Sequence, residues 1–483
     1  MFRLFIYLTL LSLLLIACSA PVPSAETAPR PNILLVMCDD LGWGDVGFNG
    51  HPNIQTPNLD RLASQGIILN RFYSASPVCS PTRASVLTGR NPYRMGIYHA
   101  NTGHMPPEEI TLPEILQGEG YQTGHFGKWH LGTLTRMIKD ANRGRPRDST
   151  HYAIPSTNGY ATYFCTESKT PTWDPMIKPK YFDEEKGESL RYGWSAAASD
   201  TQRIESYGTF YWTGPEQIEL QNLDGDDSRV IMDRVIPFID QAVAESQPFF
   251  STIWFHTPHL PLVAGEKYLT KYQGLSHQEQ LHHGSITAMD EQIGRLWAHL
   301  DTLGIADNTM LWFCSDNGPE INTPGLSGPY RERKRSLYEG GVRVPAFCVW
   351  PNRIEGKTSS HTAMSTSDYL PTILDYLQIE YPQPARPLDG LSVRPLLEKQ
   401  DLLRETPIGF LIHKKRSWTA DQYKLISNDD GENYELYDLL NDPGETKDLS
   451  DSLMQIVQDM KGELEEWMAS CARSDDVADY ISN

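Results

Sequence analysis

Two short, β-rich apolar runs in this chain stop abruptly on carboxylates, and that pairing constrains the fold more than any other feature. Asn32–Cys38 runs into Asp39-Asp40-Leu41-Gly42, and Thr309–Cys314 runs into Ser315-Asp316-Asn317-Gly318. Phe249–Phe255 and Ala346–Trp350 are further runs of the same kind. Between them, Thr56–Asp60 opens an amphipathic helix closed at Gly66, and Asp227–Glu245 and His283–Leu303 carry helical spacing. Short strands separated by helices predict an α/β protein built on a large mixed sheet flanked by helices. In such sheets ligands bind beyond the carboxyl ends of the strands, so both acidic pairs are expected on one rim.

The C-terminal stretch has a different texture. Residues 408–426 and 433–440 read as short strands of a meander, and Asp451–Cys471 as an amphipathic helix carrying Leu453, Ile456, Met460, Leu464 and Trp467. This predicts a smaller α+β subdomain over 386–483, packed on a main domain over 31–385. The N-terminus reads as an address. Met1-Phe2-Arg3 precedes an apolar run, Leu4–Ala17, that is too short to span a bilayer comfortably, which is the pattern of a secretory signal. Leu15-Ile16-Ala17-Cys18 resembles a bacterial lipobox. That implies a lipidated Cys18 on a membrane-anchored lipoprotein, with residues 18–30 as its tether. Ser19 stands where an Asp often signals inner-membrane retention, which points to the outer membrane.

Charge and cysteine usage narrow the class. A net charge of −20 excludes a nucleic-acid binder, which needs a basic face. With Cys18 lipidated and Cys79 given chemistry of its own, an odd number of the seven cysteines remains, so this is no disulfide scaffold. Cys38, Cys314 and Cys348 sit in apolar runs as small core residues, and the absence of any Cys-x-x-Cys pair excludes a zinc ribbon.

The chemistry-bearing segment is Cys79-Ser80-Pro81-Thr82-Arg83, continuing into Leu87-Thr88-Gly89-Arg90. Pro81 suits a first helical turn, placing Cys79 at a helix N-terminus where the dipole favours an anion. Asp39, Asp40, Asp316 and Asn317 are hard oxygen donors suited to Ca²⁺, with Mg²⁺ second and zinc remote. Further blocks are Gly127-Lys128-Trp129-His130, Pro258-His259-Leu260-Pro261 and Tyr338-Glu339-Gly340-Gly341. Their content and order across residues 30 to 445 resemble the type I, formylglycine-dependent sulfatases, which have the alkaline-phosphatase-like α/β fold.

The resemblance implies that Cys79 is oxidised to formylglycine by a formylglycine-generating or anaerobic maturation enzyme. Its hydrate then attacks the sulfur of a sulfate ester. It implies a single Ca²⁺ held by Asp39, Asp40, Asp316, Asn317 and the modified residue 79. It assigns Lys128 and Lys334 to the sulfate oxygens and Arg83 to support of the formylglycine. His130 assists the hydrate, and His259 stands near the leaving oxygen. His256 reads as a packed neighbour. Cys38, before the aspartate pair, departs from the small non-thiol residue common in the family.

The substrate reading is a sulfated carbohydrate, an oligosaccharide from a polysaccharide such as ulvan or carrageenan. Residues 133–225 are read as an aromatic-rich insertion whose Tyr152, Tyr160, Tyr163, Phe164, Trp173, Tyr181, Phe182, Tyr192, Trp194, Tyr207, Phe210, Tyr211 and Trp212 either grip sugar faces or form a packed unit. The basic groups Arg331–Arg335 and His413–Arg416 are too small to hold a long polyanion, which points to chain ends or oligosaccharides. The alternatives are a phosphoesterase of the same superfamily and a non-catalytic carbohydrate-binding lipoprotein. The first disagrees with Cys-x-Pro-x-Arg, the second with a complete catalytic set.

Overall fold

The computed structural model describes residues 30–180, 193–196, 204–398 and 404–480. The signal segment, Cys18, the tether up to residue 29, and Tyr181, Phe182 and Tyr192 lie outside the described residues.

The strands of the main sheet are β1 (Asn32–Cys38), β2 (Ile67–Leu69), β3 (Gln122–Lys128), β4 (Thr162–Thr166), β5 (Trp212–Gly214), β6 (Gln217–Ile218), β7 (Phe249–Trp254), β8 (Thr309–Ser315), β9 (Phe347–Val349) and β10 (Thr358–Ser360). They lie in the order β6-β5-β4-β3-β7-β1-β8-β9-β2-β10. The five at the centre, β4-β3-β7-β1-β8, are mutually parallel, so their carboxyl ends share one rim. β5, β6 and β9 run antiparallel to their neighbours toward the edges. β1 is apolar at nearly every position because it is buried on both faces, and its register aligns Cys38 with Ser315.

Helices cover both faces. Pro57–Gln65 (α1) ends before Gly66, as its sequence predicts. Asp227–Ala244 (α3) starts on the Asp226 cap, and His277–Thr302 (α4) starts six residues before the expected His283. The earlier start has a local cause. Ser276 and Glu279 form a reciprocal capping box that satisfies two otherwise orphaned N–H groups. Cys79–Thr88 (α2) is buried along its whole length.

The C-terminal strands β11 (Ile408–Ile412), β12 (Lys415–Thr419), β13 (Tyr423–Ser427) and β14 (Glu435–Asp438) form an antiparallel meander, and Met454–Asp475 (α5) packs on it. The main core reaches past residue 385. Val393, Leu396 and Leu397 still belong to the main core, alongside Ile373 and Leu374. The expected insertion is also not wholly an insertion, because β4 and β5 extend the main sheet. Tyr160, Tyr163, Phe164, Tyr211 and Trp212 are buried core. Tyr152, Tyr207 and Phe210 keep partial exposure.

A buried ion network joins subdomain to body. Lys424 on β13 reaches Glu339 and Glu445 at 3.0 Å each, and Glu339 also accepts from Tyr73 Oη and Arg343. This is the work of the Glu in Tyr338-Glu339-Gly340-Gly341.

Candidate active site

The rim of the parallel strands collects the acids and bases. Asp39 and Asp40 follow β1, Lys128 ends β3 with His130 just beyond, Ser168 and Lys169 follow β4, His259 follows β7, and Asp316 and Asn317 follow β8. Cys79 enters at the N-terminus of α2, with its Sγ 3.5 Å from Asp39 Oδ1. Every candidate from the sequence reading within the described residues comes to this one place.

Three cations neutralise the floor. Lys128 Nζ donates to Asp39 Oδ2 at 2.7 Å, and Lys334 Nζ straddles both oxygens of Asp40 at 2.6 and 2.7 Å. Arg83 Nη2 donates to Asp316 Oδ2 at 2.6 Å, and its Nη1 donates to the Lys128 carbonyl at 3.0 Å. All six side chains are buried, so these charges act with little screening by water. Burial favours the neutral form of Asp39, but Lys128, His259, Arg83 and Lys334 outweigh it and hold the carboxyl well below its usual range. Asp316 goes the other way. Burial, then the Asp39 charge, pushes it up to about 7 despite Arg83.

The same crowding suits a hard cation. Asp39, Asp40, Cys79 and His259 bring ligand atoms within 4.8 Å of one another. The Asp40 backbone N–H donates to Asp316 Oδ1 at 3.1 Å, fixing the two acidic turns together. Asn317 Nδ2 donates to Asp40 Oδ1 at 2.7 Å, while Asn317 Oδ1 is buried with no hydrogen-bond partner. Such an orphaned acceptor is costly unless something electropositive faces it. Carboxylates plus a carboxamide oxygen form a donor set that fits Ca²⁺.

The basic run around Lys334 resolves by geometry. Arg331 lies over the Tyr338 ring at 3.8 Å, Arg333 reaches the carbonyls of Glu320 and Thr323, and Arg335 pairs with both Glu320 oxygens. Lys334 alone turns inward. Gly340 and Gly341 make that loop possible. A Cβ on Gly340 would stand 2.2 Å from the Glu332 carbonyl oxygen, and one on Gly341 2.0 Å from that of Ser336.

The histidines divide by their surroundings. His256 is packed, bonded to Asp227 at 2.8 Å and to Thr166 at 2.7 Å. His259 faces the site, with Nε2 3.6 Å from Asp40 Oδ2, and burial lowers it to about 4. His130 is oriented by two residues that sequence reasoning missed. Asn142 Nδ2 donates to Asn101 Oδ1 at 3.3 Å, so Asn101 presents its oxygen and accepts from His130 Nε2 at 2.9 Å. That arrangement leaves His130 Nδ1 free to accept, and it is buried with no partner. Cys38 is closed off, 3.4 Å from the Met289 sulfur, with its thiol pushed well up by burial.

Above the floor lies a cavity of about 570 Å³, whose wall includes Cys79, Lys128, His130, Lys169, His259 and Lys334. Burial pushes the Cys79 thiol up to about 12, so as a plain cysteine it is neutral at pH 7. Lys169 was also missed by sequence reasoning. The signal was its place three residues past a strand end, hidden because Thr162–Thr166 lies among the aromatics read as loop. The His413–Arg416 cluster is the β11–β12 hairpin tip beside the cavity mouth. The His413 ring lies 4.8 Å from that of His99, and Lys415 Nζ donates to the Arg335 carbonyl at 3.3 Å.

A family model described as sulfatase matches residues 31–379, and one described as N-sulphoglucosamine sulphohydrolase, C-terminal, matches 330–470. The N-acetylgalactosamine-6-sulfatase of Sus scrofa is 33% identical over 413 residues, covering 82% of this chain and 71% of its own. That of Homo sapiens is 33% identical over 402 residues, covering 80% of this chain and 69% of its own. Among solved structures, Ps i-CgsB superposes at TM-score 0.77 with 26% identity, covering 91% of this chain and 93% of the other. It has also been solved in complex with k-i-k-neocarrahexaose. The architecture of sheet, helices and C-terminal meander is alkaline-phosphatase-like.

Proposed function

The chain belongs to the sulfatase family and is a sulfuric ester hydrolase, the premise from which we propose that it is a calcium-dependent, formylglycine-using enzyme acting on sulfated carbohydrate. The observation that carries the reading is the convergence of Cys79, at a helix N-terminus, with Asp39, Lys128, Lys334 and His259 on one buried floor. In this reading a maturation enzyme would convert Cys79 to formylglycine, whose hydrate would supply the hydroxyl nucleophile toward sulfur and a second hydroxyl for release of the sulfate. Ca²⁺, held by Asp39, Asp40, Asp316, Asn317 and residue 79, would neutralise sulfate oxygens. Lys128 and Lys334 hold the remaining oxygens as charge develops on them. His130, with Nδ1 free to accept, would serve as the base toward the hydroxyl of the modified residue 79, and His259 stands beside the departing alcohol oxygen. Arg83 keeps Asp316 and the Lys128 turn in register.

Two features support sugar as the leaving alcohol. The proteins it is similar to include N-acetylgalactosamine-6-sulfatases and Ps i-CgsB, solved with k-i-k-neocarrahexaose. The cavity wall also sets the polar side chains of His99, Asn101 and Asn142 beside the cations and among apolar surface. An oligosaccharide from a sulfated polysaccharide such as ulvan or carrageenan suits it, entering by a chain end.

Mass spectrometry of the peptide holding residue 79, from protein co-expressed with a maturation system, is expected to show the aldehyde in place of the thiol. Chelation is expected to remove activity, with Ca²⁺ restoring it and Zn²⁺ restoring little, because the donors are oxygens. Full activity in chelator, or an intact thiol in active enzyme, would refute the reading. The proposal extends to the N-terminus as a lipoprotein anchored through Cys18 in the outer membrane. Cys18→Ala is expected to move the protein from membrane to soluble fraction, since acyl chains rather than a spanning helix hold it. Unchanged fractionation would refute the anchor.

A further inference from the structure

One cation at the cavity has no partner among the described residues. The other ammonium and guanidinium groups in its wall are paired: Lys128 with Asp39, Lys334 with Asp40, Arg335 with Glu320. The half-buried Lys169 ammonium makes no hydrogen bond and no ion pair among the described residues, and it feels the charges of Lys128 and Lys334 ahead of those of Asp40 and Asp39. An unpaired, half-buried ammonium is unfavourable unless an incoming anion offsets it.

Lys169 stands on a partition. It lines the catalytic cavity and also a second cleft of about 280 Å³, whose far wall includes Lys139, Tyr207 and Phe210. Asn142 and Ser168 stand on the same partition, joined by a 3.1 Å hydrogen bond. Phe210 is held in place. Its N–H donates to Asp140 Oδ1 at 3.1 Å, and its ring meets Trp212 edge-on at 6.5 Å. Asp140 is itself bonded to the Trp212 indole at 2.9 Å. The cleft therefore offers rigid aromatic surface beside two ammonium groups, one step from the scissile site.

We propose that this second cleft binds the sugar next to the one being desulfated, and that Lys169 holds an anionic group on that neighbour, a carboxylate or a second sulfate. Phe210 and Tyr207 give its ring an apolar face to lie on. The inference rests on the catalytic cavity being the sulfate ester site. It assigns the enzyme to substrates with negative charge on adjacent sugars.

The test measures kcat/KM of the matured, calcium-loaded full chain on p-nitrophenyl sulfate and on three disaccharides. Each disaccharide carries one hydrolysable sulfate on a hexosamine, and its neighbouring ring bears a carboxylate, a second sulfate or a neutral hydroxymethyl. The parent enzyme is expected to favour an acidic neighbour over the neutral one by about tenfold through KM, the scale of one charge-assisted hydrogen bond. Added salt should shrink the preference, and the anion giving the larger preference identifies the group. Lys169→Met is expected to erase it, with Lys169→Gln as a second variant should the first fold poorly. Phe210→Ala is expected to lower the ratio of disaccharide to aryl sulfate turnover for all three. No acidic preference in the parent would overturn the inference. So would an equal loss on aryl sulfate and every disaccharide in Lys169→Met, which would place Lys169 on the scissile sulfate instead. Absence of aryl sulfate turnover in the parent would instead strike the catalytic reading, and the inference with it.

Discussion

Cys79→Ala is expected to reduce kcat on any sulfate ester on the order of 10⁶-fold, the scale seen when a hydrolase loses its covalent nucleophile. The stability cost should be small. Alanine keeps the backbone and Cβ of α2, which is held along its length by buried contacts, and loses one buried sulfur atom worth about 1 kcal/mol. The variant should still bind Ca²⁺, more weakly than the parent, because four proposed ligands from two other chain segments, Asp39-Asp40 and Asp316-Asn317, remain. Turnover assays, calcium titration and thermal unfolding on the same preparation separate the outcomes. An active Cys79→Ala enzyme would remove the central claim. An inactive enzyme that is also unfolded would assign the residue to packing.

Arg83→Met should be damaging in a different way. Arg83 is fully buried, with Asp316 at 2.6 Å and Asp39 at 3.7 Å, and its guanidinium lies over the Trp254 ring at 5.2 Å. Methionine fills much of the volume but leaves the buried Asp316 carboxyl without its cation, while Asp39 keeps Lys128. Breaking a buried pair from one side costs about 3–5 kcal/mol, a large share of the roughly 5–15 kcal/mol that holds a typical domain. Activity should fall with stability, because the Lys128 turn loses the donor to its carbonyl. Arg83→Lys should rescue little, since an ammonium cannot reach both Asp316 and the Lys128 carbonyl as the planar fork does. Adding Asp316→Asn to Arg83→Met should recover part of the stability, by removing one stranded charge, and none of the activity. Denaturant unfolding of the single and double variants reads this directly. A single variant as stable as its parent would show that the ion pair does not hold the floor together.

Much of this protein is legible along the chain because the information is local. β1 and β8 announce themselves as apolar runs, and the acids that end them must fall on one rim once the strands are parallel. Cys79-Ser80-Pro81-Thr82-Arg83 carries its own helix start, and α1 carries its own stop. Where local chemistry was subtler, boundaries moved. The Ser276 capping box begins α4 a turn and a half before its apolar spacing does. Residues 393–397 pack on the main core despite following the expected boundary.

Partnership was a matter for the tertiary structure. Of Arg331, Arg333, Lys334 and Arg335, sequence composition treats all as equivalent cations. Only the packing of Gly340 and Gly341 against their loop decides that Lys334 alone points at Asp40. Most of the aromatics of 152–212 look alike as letters, but β4 and β5 draw Tyr163, Phe164 and Trp212 into the core and leave Phe210 on a cleft wall. Asn101 and Asn142 orient His130 from loops about forty residues apart, and nothing local marks them. Residue type and nearest neighbours determine what a segment can form and which groups can do chemistry. Which charges are left without a partner depends on contacts between segments distant in sequence, and so only the folded chain singles out Lys169.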